Sequence, residues 1–133
     1  MPNPLLIVVD DDPEIAELVS EVGLLSGFDT RTTGNGIDFQ VIWAESRPSV
    51  IVMDLVMPDM DGVELLYWLG EQHCETPIIL ISGYGAEYLE MADHIGTGKG
   101  DTIVGTLQKP IDIADLEKLL SKALAMFRAL PTP

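Results

Sequence analysis

The chain is predicted to be an α/β domain with a parallel sheet covered by helices on both faces. Apolar segments of strand length alternate with helical patterns from end to end. The run from Val50 to Met53 is too short and too sharply bounded for a helix, as is typical of a strand buried on both faces. Three such segments end in charged residues, which is expected where the strands of an open sheet end at a ligand-binding crevice.

Five strand–helix units are predicted, with right-handed crossovers and the strand order 2-1-3-4-5. That order puts the ends of the first and third strands side by side. The predicted strands are 4–10, 28–33, 49–54, 77–82 and 102–107, and the predicted helices are 13–26, 36–46, 62–72, 84–95 and 113–129.

The helices follow from apolar periodicity and from their start and stop residues. Asp12 and Pro13 are a typical helix start, Asp61 and Glu64 have capping-box spacing, and Asp112 is the predicted N-cap of the last helix. Gly27 is predicted to end the first helix. The predicted buried stripes are Ile15, Leu18, Val19, Val22 and Leu25 in the first helix, Phe39, Ile42 and Trp43 in the second, and Leu116, Leu119, Leu120, Ala123 and Phe127 in the last. The glycine-rich segment 96–100 is interpreted as a flexible loop, since it departs from the phosphate-binding loop pattern.

Length and composition limit the possible domain organisation and function of the chain. Residues 1–133 are expected to form one domain, with a core at about 4–129 and no output domain. The net charge of −15, from 22 acidic and 7 basic residues, argues against direct nucleic-acid binding. No apolar run reaches the roughly 18 residues of a membrane span, and no secretory signal is present. With a single cysteine, Cys74, the chain is expected to be cytoplasmic.

Acidic residues at two adjacent strand ends predict a Mg²⁺ site. Asp10 and Asp11 follow the first strand, and Asp54 ends the third. Carboxylates packed together raise one another's pKa unless a cation neutralises them, and Mg²⁺ takes hard oxygen ligands. We expect Asp11 and Asp54 to bind the ion directly, Asp10 directly or through water, and the carbonyl of Val56 to add one more oxygen.

The same strand ends carry the groups that phosphoryl transfer needs. A carboxylate nucleophile can form an aspartyl phosphate, which makes Asp54 the candidate acceptor. Lys109, after the fifth strand, adds a second positive charge, and Ser82, at the end of the fourth, offers a hydroxyl to a phosphoryl oxygen.

Four motifs stand in order along the chain: Val-Val-Asp-Asp-Asp-Pro-Glu-Ile (8–15), Met-Asp-Leu-Val-Met-Pro-Asp-Met-Asp-Gly (53–62), Ile-Ser-Gly (81–83) and Gln-Lys-Pro (108–110). With these motifs, the chain from about Leu5 to Phe127 resembles the receiver domain of two-component response regulators. The resemblance implies a flavodoxin-like (βα)5 fold. It also implies phosphorylation of Asp54, and Mg²⁺ at Asp10, Asp11 and the Val56 carbonyl. Ser82 and Lys109 take the family's hydroxyl and lysine positions.

The resemblance further implies a cis Lys109–Pro110 bond and a sensor histidine kinase or histidine phosphotransfer protein as donor. A downstream protein effector would read the phosphorylated state. The domain would catalyse only its own phosphorylation and dephosphorylation, so it is not an enzyme in the ordinary sense. The family has an aromatic residue three positions before the lysine, where this chain has Thr106. The family's relay to its partners is therefore not expected to work here through a ring at that position.

Two alternatives stay open. A degenerate receiver would bind partners without phosphorylation, but both acidic motifs, Ser82 and Lys109 are present. A Mg²⁺-dependent phosphohydrolase would use Asp54 as nucleophile and a second Asp two residues later, where this chain has Val56. The sequence does not decide between a monomer and a homodimer.

Overall fold

A computed structural model describes residues 3–131, so residues 1–2 and 132–133 of the predicted domain lie outside the described part. Five strands alternate with five helices. The strands are β1 (Leu5–Val9), β2 (Asp29–Thr33), β3 (Val50–Asp54), β4 (Pro77–Ser82) and β5 (Thr102–Gln108). The helices are α1 (Pro13–Leu25), α2 (Gly36–Ser46), α3 (Gly62–Glu71), α4 (Ala86–Gly98) and α5 (Ile113–Arg128).

All five strands are parallel and lie in the order β2-β1-β3-β4-β5, which confirms the predicted fold class and topology. Val9 is paired with Met53, so β1 and β3 end at the same level. Asp54 is paired with Ile81, which places Ser82 one residue beyond it on β4. The register between β4 and β5 shifts between Ile78 and Ile79. β2, at one edge, is short and mostly exposed.

Alternate residues of the central strands bury their side chains in two separate cores, as expected for a sheet covered on both faces. One core packs Ile51 and Met53 of β3 against α2, α3 and α4. The other packs Val50 and Val52 against α1 and α5. The helices on the two faces thereby hold the sheet from both sides, and the strand ends stay free to form a site.

The predicted helix starts are confirmed by their caps. Asp12, Asp61 and Asp112 each accept a hydrogen bond from a backbone N–H in the first turn, at 2.9 to 3.0 Å. Gly27 follows α1 with φ +94°, a conformation that glycine adopts without strain. Asp12 is thus used as a helix cap.

Two element-level predictions were wrong. Segment 96–100 is not a loop throughout, because α4 continues to Gly98. Gly96 packs where an added Cβ would lie 3.1 Å from Ile103, and Thr97 Oγ1 donates to Asp93 one turn earlier at 3.1 Å. Tertiary packing therefore outweighs the low helix propensity of glycine.

The second correction concerns which residues of α1 are buried. Leu25 was predicted to be buried and is 90% exposed. The buried stripe runs instead through Ala16, Val19, Val22 and Gly23, so its centre is rotated away from Leu25. Gly23 packs on Leu6 so closely that a Cβ would lie 2.6 Å from that side chain. The buried face of α1 includes the small residues Ala16 and Gly23, which a pattern of large apolar side chains does not reveal.

Candidate functional site

Three carboxylates meet at the carboxyl edge of the sheet. Oxygens of Asp10, Asp11 and Asp54 all lie within 4.8 Å of one another. Asp10 and Asp54 are buried at the ends of neighbouring strands, whereas Asp11 is exposed. The structure thus brings together the three acidic residues that the sequence predicted would meet.

Backbone donors orient the two buried carboxylates. Asp10 Oδ1 accepts the N–H of Asp12 at 2.8 Å. Asp54 Oδ1 accepts the N–H of Val56 at 3.2 Å. Each side chain is therefore held by one oxygen, and its Oδ2 is turned to a shared partner.

That shared partner is Lys109. Its Nζ lies 3.0 Å from Asp10 Oδ2 and 3.3 Å from Asp54 Oδ2. The backbone of Lys109 is fixed as well, because its N–H donates to the carbonyl of Ser82 at 2.8 Å. The Lys109–Pro110 bond is cis, as the resemblance implied.

The electrostatics of the site favour an added cation. Burial, with repulsion from Asp10, raises the pKa of Asp54 to about 6, against the opposing effects of the Val56 N–H and Lys109. For Lys109, partial burial lowers the pKa, but the two carboxylates outweigh it and the net pKa is raised. The cluster holds three carboxylates, and one ammonium group pairs with two of them, so negative charge is in excess at the strand ends. Hard carboxylate oxygens in excess fit Mg²⁺.

Ser82 lies fully buried at the end of β4. Its Oγ accepts the N–H of Tyr84 at 3.0 Å. Because Oγ is the acceptor in that bond, its own hydroxyl hydrogen is free to donate elsewhere. Ser82 therefore reaches the site edge with a usable donor.

Gly62 shapes the site, a role that its place in the motif 53–62 does not by itself reveal. Its N–H donates to the carbonyl of Leu55 at 2.8 Å. An added Cβ would lie 2.6 Å from Leu55 Cα and 2.9 Å from the carbonyl oxygen of Asp54. The loop from Asp54 to α3 can close this tightly only over glycine. A glycine directly after a helix N-cap aspartate is the signal that could have found it.

Thr106 is half-buried on β5 and lines a cavity of about 360 Å³ between β5 and α4. Ala86, Leu89 and Gln108 also line it. The small side chain of Thr106 leaves this space between β5 and α4 unfilled. Tyr84, two residues after Ser82, is 69% exposed and stacks edge-on with Tyr88, with ring centroids 6.0 Å apart.

Comparison with known proteins identifies the family. The model of the response regulator receiver domain matches residues 6–121. The chain therefore belongs to the response regulator receiver domains of two-component signalling.

Individual relatives agree with that assignment. The chain is 28% identical to sporulation initiation phosphotransferase F of Bacillus subtilis over 126 residues, covering 95% of this chain and 98% of that protein. It is 30% identical to the regulatory protein AtoC of Escherichia coli over 121 residues, covering 91% of this chain and 25% of AtoC. The chain spans half or less of the length of AtoC and two other curated relatives.

Among solved structures, the receiver domain of the Francisella response regulator 1452 matches with a TM-score of 0.77 and 28% identity. The match covers 95% of this chain and 98% of that one. Among residues 3–131, none of the helices has the length and apolar character of a membrane span.

Proposed function

We propose that Asp54 is the phosphoacceptor of this receiver domain. The observation that carries the proposal is the placement of its carboxylate, buried beside Asp10 and Asp11 and paired with Lys109. A phosphoryl donor would approach the open side of this cluster. The donor class that the family indicates is a histidine kinase or a histidine phosphotransfer protein, and the transfer would take place in the cytoplasm.

In the transfer, an oxygen of Asp54 attacks phosphorus. A new O–P bond forms as the P–N bond to the donor imidazole breaks, and the imidazole keeps the electron pair. Lys109 gives up its contact with Asp54 Oδ2 and pairs with a phosphoryl oxygen. Ser82 donates its free hydroxyl hydrogen to another.

Mg²⁺ would be held by Asp10, Asp11, Asp54 and the carbonyl of Val56. When bound, it supplies the positive charge that neutralises the transferring phosphoryl group. The residues fit this role because three carboxylates lie together, two of them buried, and a single lysine pairs with Asp10 and Asp54.

The test is phosphorylation by acetyl phosphate with Mg²⁺, read by intact mass. Wild type should gain the mass of one phosphoryl group, and Asp54→Asn should gain none. Asp59→Asn, an exposed acid in the same loop, is the matched control and should be modified like wild type. A wild type that gains no mass, or an Asp54→Asn variant that still does, contradicts the proposal.

The two alternatives predict other results. A degenerate receiver would bind its partner equally well with and without acetyl phosphate. A phosphohydrolase would release phosphate from a small phosphoester through many turnovers, a reaction for which Val56 offers no acid or base at the required position. The expectation that the domain acts without an output module, through a separate effector protein, stays a prediction.

A further inference from the structure

A second cavity lies at the pole of the molecule opposite Asp54. It has a volume of about 470 Å³, within the range of small-molecule sites. It opens at the amino-terminal edge of the sheet, where α2 ends, β4 begins and α5 ends. The residues that matter for its chemistry are Trp43, Arg47, His73, Cys74, Phe127 and Arg128. We call it the amino-edge cavity.

The floor of the amino-edge cavity is apolar and firmly held. Trp43 is 4% exposed and packs edge-on against Trp68, with ring centroids 5.3 Å apart. Cys74 is buried beside it. Phe127, from the last turn of α5, supplies a second aromatic wall. A preformed apolar surface of this kind accepts a hydrocarbon body without reorganisation.

The rim of the cavity is basic in a strongly acidic chain. The chain has three arginines and a net charge of −15, and two of those arginines, Arg47 and Arg128, line this cavity. The guanidinium of Arg47 lies over the ring of Trp43, with its carbon 4.1 Å from the ring centroid. Within residues 3–131, neither arginine has a carboxylate within 4.0 Å, and the acid that lines the cavity, Glu75, pairs with neither of them.

Backbone conformation sets the same rim apart. Arg47 has φ 45° and His73 has φ 54°, and in residues 3–131 they are the only residues other than glycine in the left-handed region. Arg47 follows α2 at a position where glycine is the favoured residue. Both unfavourable conformations lie on one cavity, and such outliers gather at binding sites.

Helix dipoles offer a simpler account of the arginines. Basic side chains at helix C-termini offset the negative end of the dipole, and Arg128 lies in the last turn of α5. This effect does not require an arginine in a left-handed conformation, nor one stacked on the aromatic floor of a cavity.

We propose that the amino-edge cavity binds a small amphipathic carboxylate. Its hydrocarbon or aromatic body packs on Trp43 and Phe127, and its carboxylate pairs with the guanidinium groups of Arg47 and Arg128. The charge complementarity of the rim selects an anion, and the apolar floor selects against simple inorganic ions. The proposal is independent of the chemistry at Asp54.

The probe is anilinonaphthalene sulfonate, an apolar anion whose fluorescence rises in a dry site. Wild type should give saturable single-site binding, and octanoate should displace the probe while uncharged octanol at the same concentration should not. Arg47→Gly and Arg128→Gln should each weaken binding about tenfold, the loss of one charge-assisted contact. Arg31→Gln, which removes the third arginine, is the matched control and should bind as wild type does.

Arg47→Gly is also a safeguard against misfolding, because glycine suits φ 45°. Its melting temperature should stay close to that of wild type while probe affinity falls. Absence of saturable binding overturns the proposal. So does displacement by octanol as strong as by octanoate, or an affinity unchanged in both cavity variants, which would leave the arginines with the helix-dipole role alone.

Discussion

Asp101 is an acidic residue in a buried position. It opens the segment that leads into β5 and is 5% exposed. Neither of its carboxylate oxygens has a hydrogen-bond partner among the residues that the structure describes. Burial raises the pKa of Asp101 to about 7, because removing the carboxylate from water disfavours its charged form.

This shift makes stability depend on pH. The ordinary pKa of the group is 3.8, so from about pH 4 to pH 7 the folded state holds a proton that the unfolded state has lost. The contribution of Asp101 to stability therefore falls as pH rises through this window and levels off above it. Asp101→Asn removes that dependence and should raise the free energy of unfolding at pH 8 by about 1–3 kcal/mol relative to wild type.

The measurement is urea unfolding of wild type and variant at several pH values. The difference between the two curves should grow from pH 4 to pH 8. Asp59→Asn, at an exposed position, should show no such growth. Parallel curves for wild type and Asp101→Asn would rule out the buried carboxylate as the cause.

At the scale of elements, the sequence predicted most boundaries to within a residue or two. Apolar runs and Asp caps identify β3 and α5 because the local signals agree with the tertiary environment. The end of α4 was missed because Gly96 packs against Ile103 of β5, a contact that lies outside any local window. The burial of Asp101 was missed for the same reason, because it depends on how distant segments pack. The left-handed turn at Arg47 was missed because glycine, the usual signal at that position, is absent.

Two glycine-to-alanine substitutions compare a tightly packed glycine, Gly62, with Gly98, which has open space around it. Gly62→Ala forces a Cβ onto the backbone of Leu55 and should destabilise the fold by about 1–3 kcal/mol. Gly98→Ala adds a Cβ with no atom within 4 Å at the last residue of α4, and should be neutral or stabilising by up to about 1 kcal/mol. Thermal or urea unfolding of both variants gives the comparison.

The same pair checks the correction to α4. If segment 96–100 were a flexible loop, Gly98→Ala would not gain the stability that alanine adds to a helix. A Gly62→Ala variant as stable as wild type would show that the loop after Asp54 can relax to admit a Cβ at this position.

At the scale of the whole molecule, the acidic residues that repel one another most strongly are those packed together at the strand ends. The chain carries a net charge of −15, and the cluster of Asp10, Asp11 and Asp54 is partly buried. This cluster was predictable because parallel strands end together, so acids at the ends of β1 and β3 had to meet. The distances to Lys109 were not, since they depend on the loop after β5.

Mg²⁺ should therefore stabilise the whole domain. A ligand that binds only the folded state adds about 2.7 kcal/mol at a hundred times its dissociation constant. Thermal unfolding with MgCl₂, against NaCl at equal ionic strength, should show a rise in melting temperature beyond simple screening. Asp11→Asn should reduce that rise.

Asp12→Asn is the matched control, because asparagine caps a helix as well as aspartate does. It should keep both the stability and the Mg²⁺ response of wild type. Equal loss of the response in Asp11→Asn and Asp12→Asn would mean that Mg²⁺ binds the acidic residues nonspecifically rather than at a defined site.

The polar edge strand β2 has a consequence for the chain in a crowded cell. An outer strand exposes backbone groups that could recruit a strand from another molecule and start a growing fibre. β2 has only five residues, and its outer positions include the exposed charges of Asp29 and Arg31. An incoming strand at β2 would have to bury those charges, so this edge of the sheet resists sideways polymerisation even though the apolar interior strands are of the kind that aggregate once exposed.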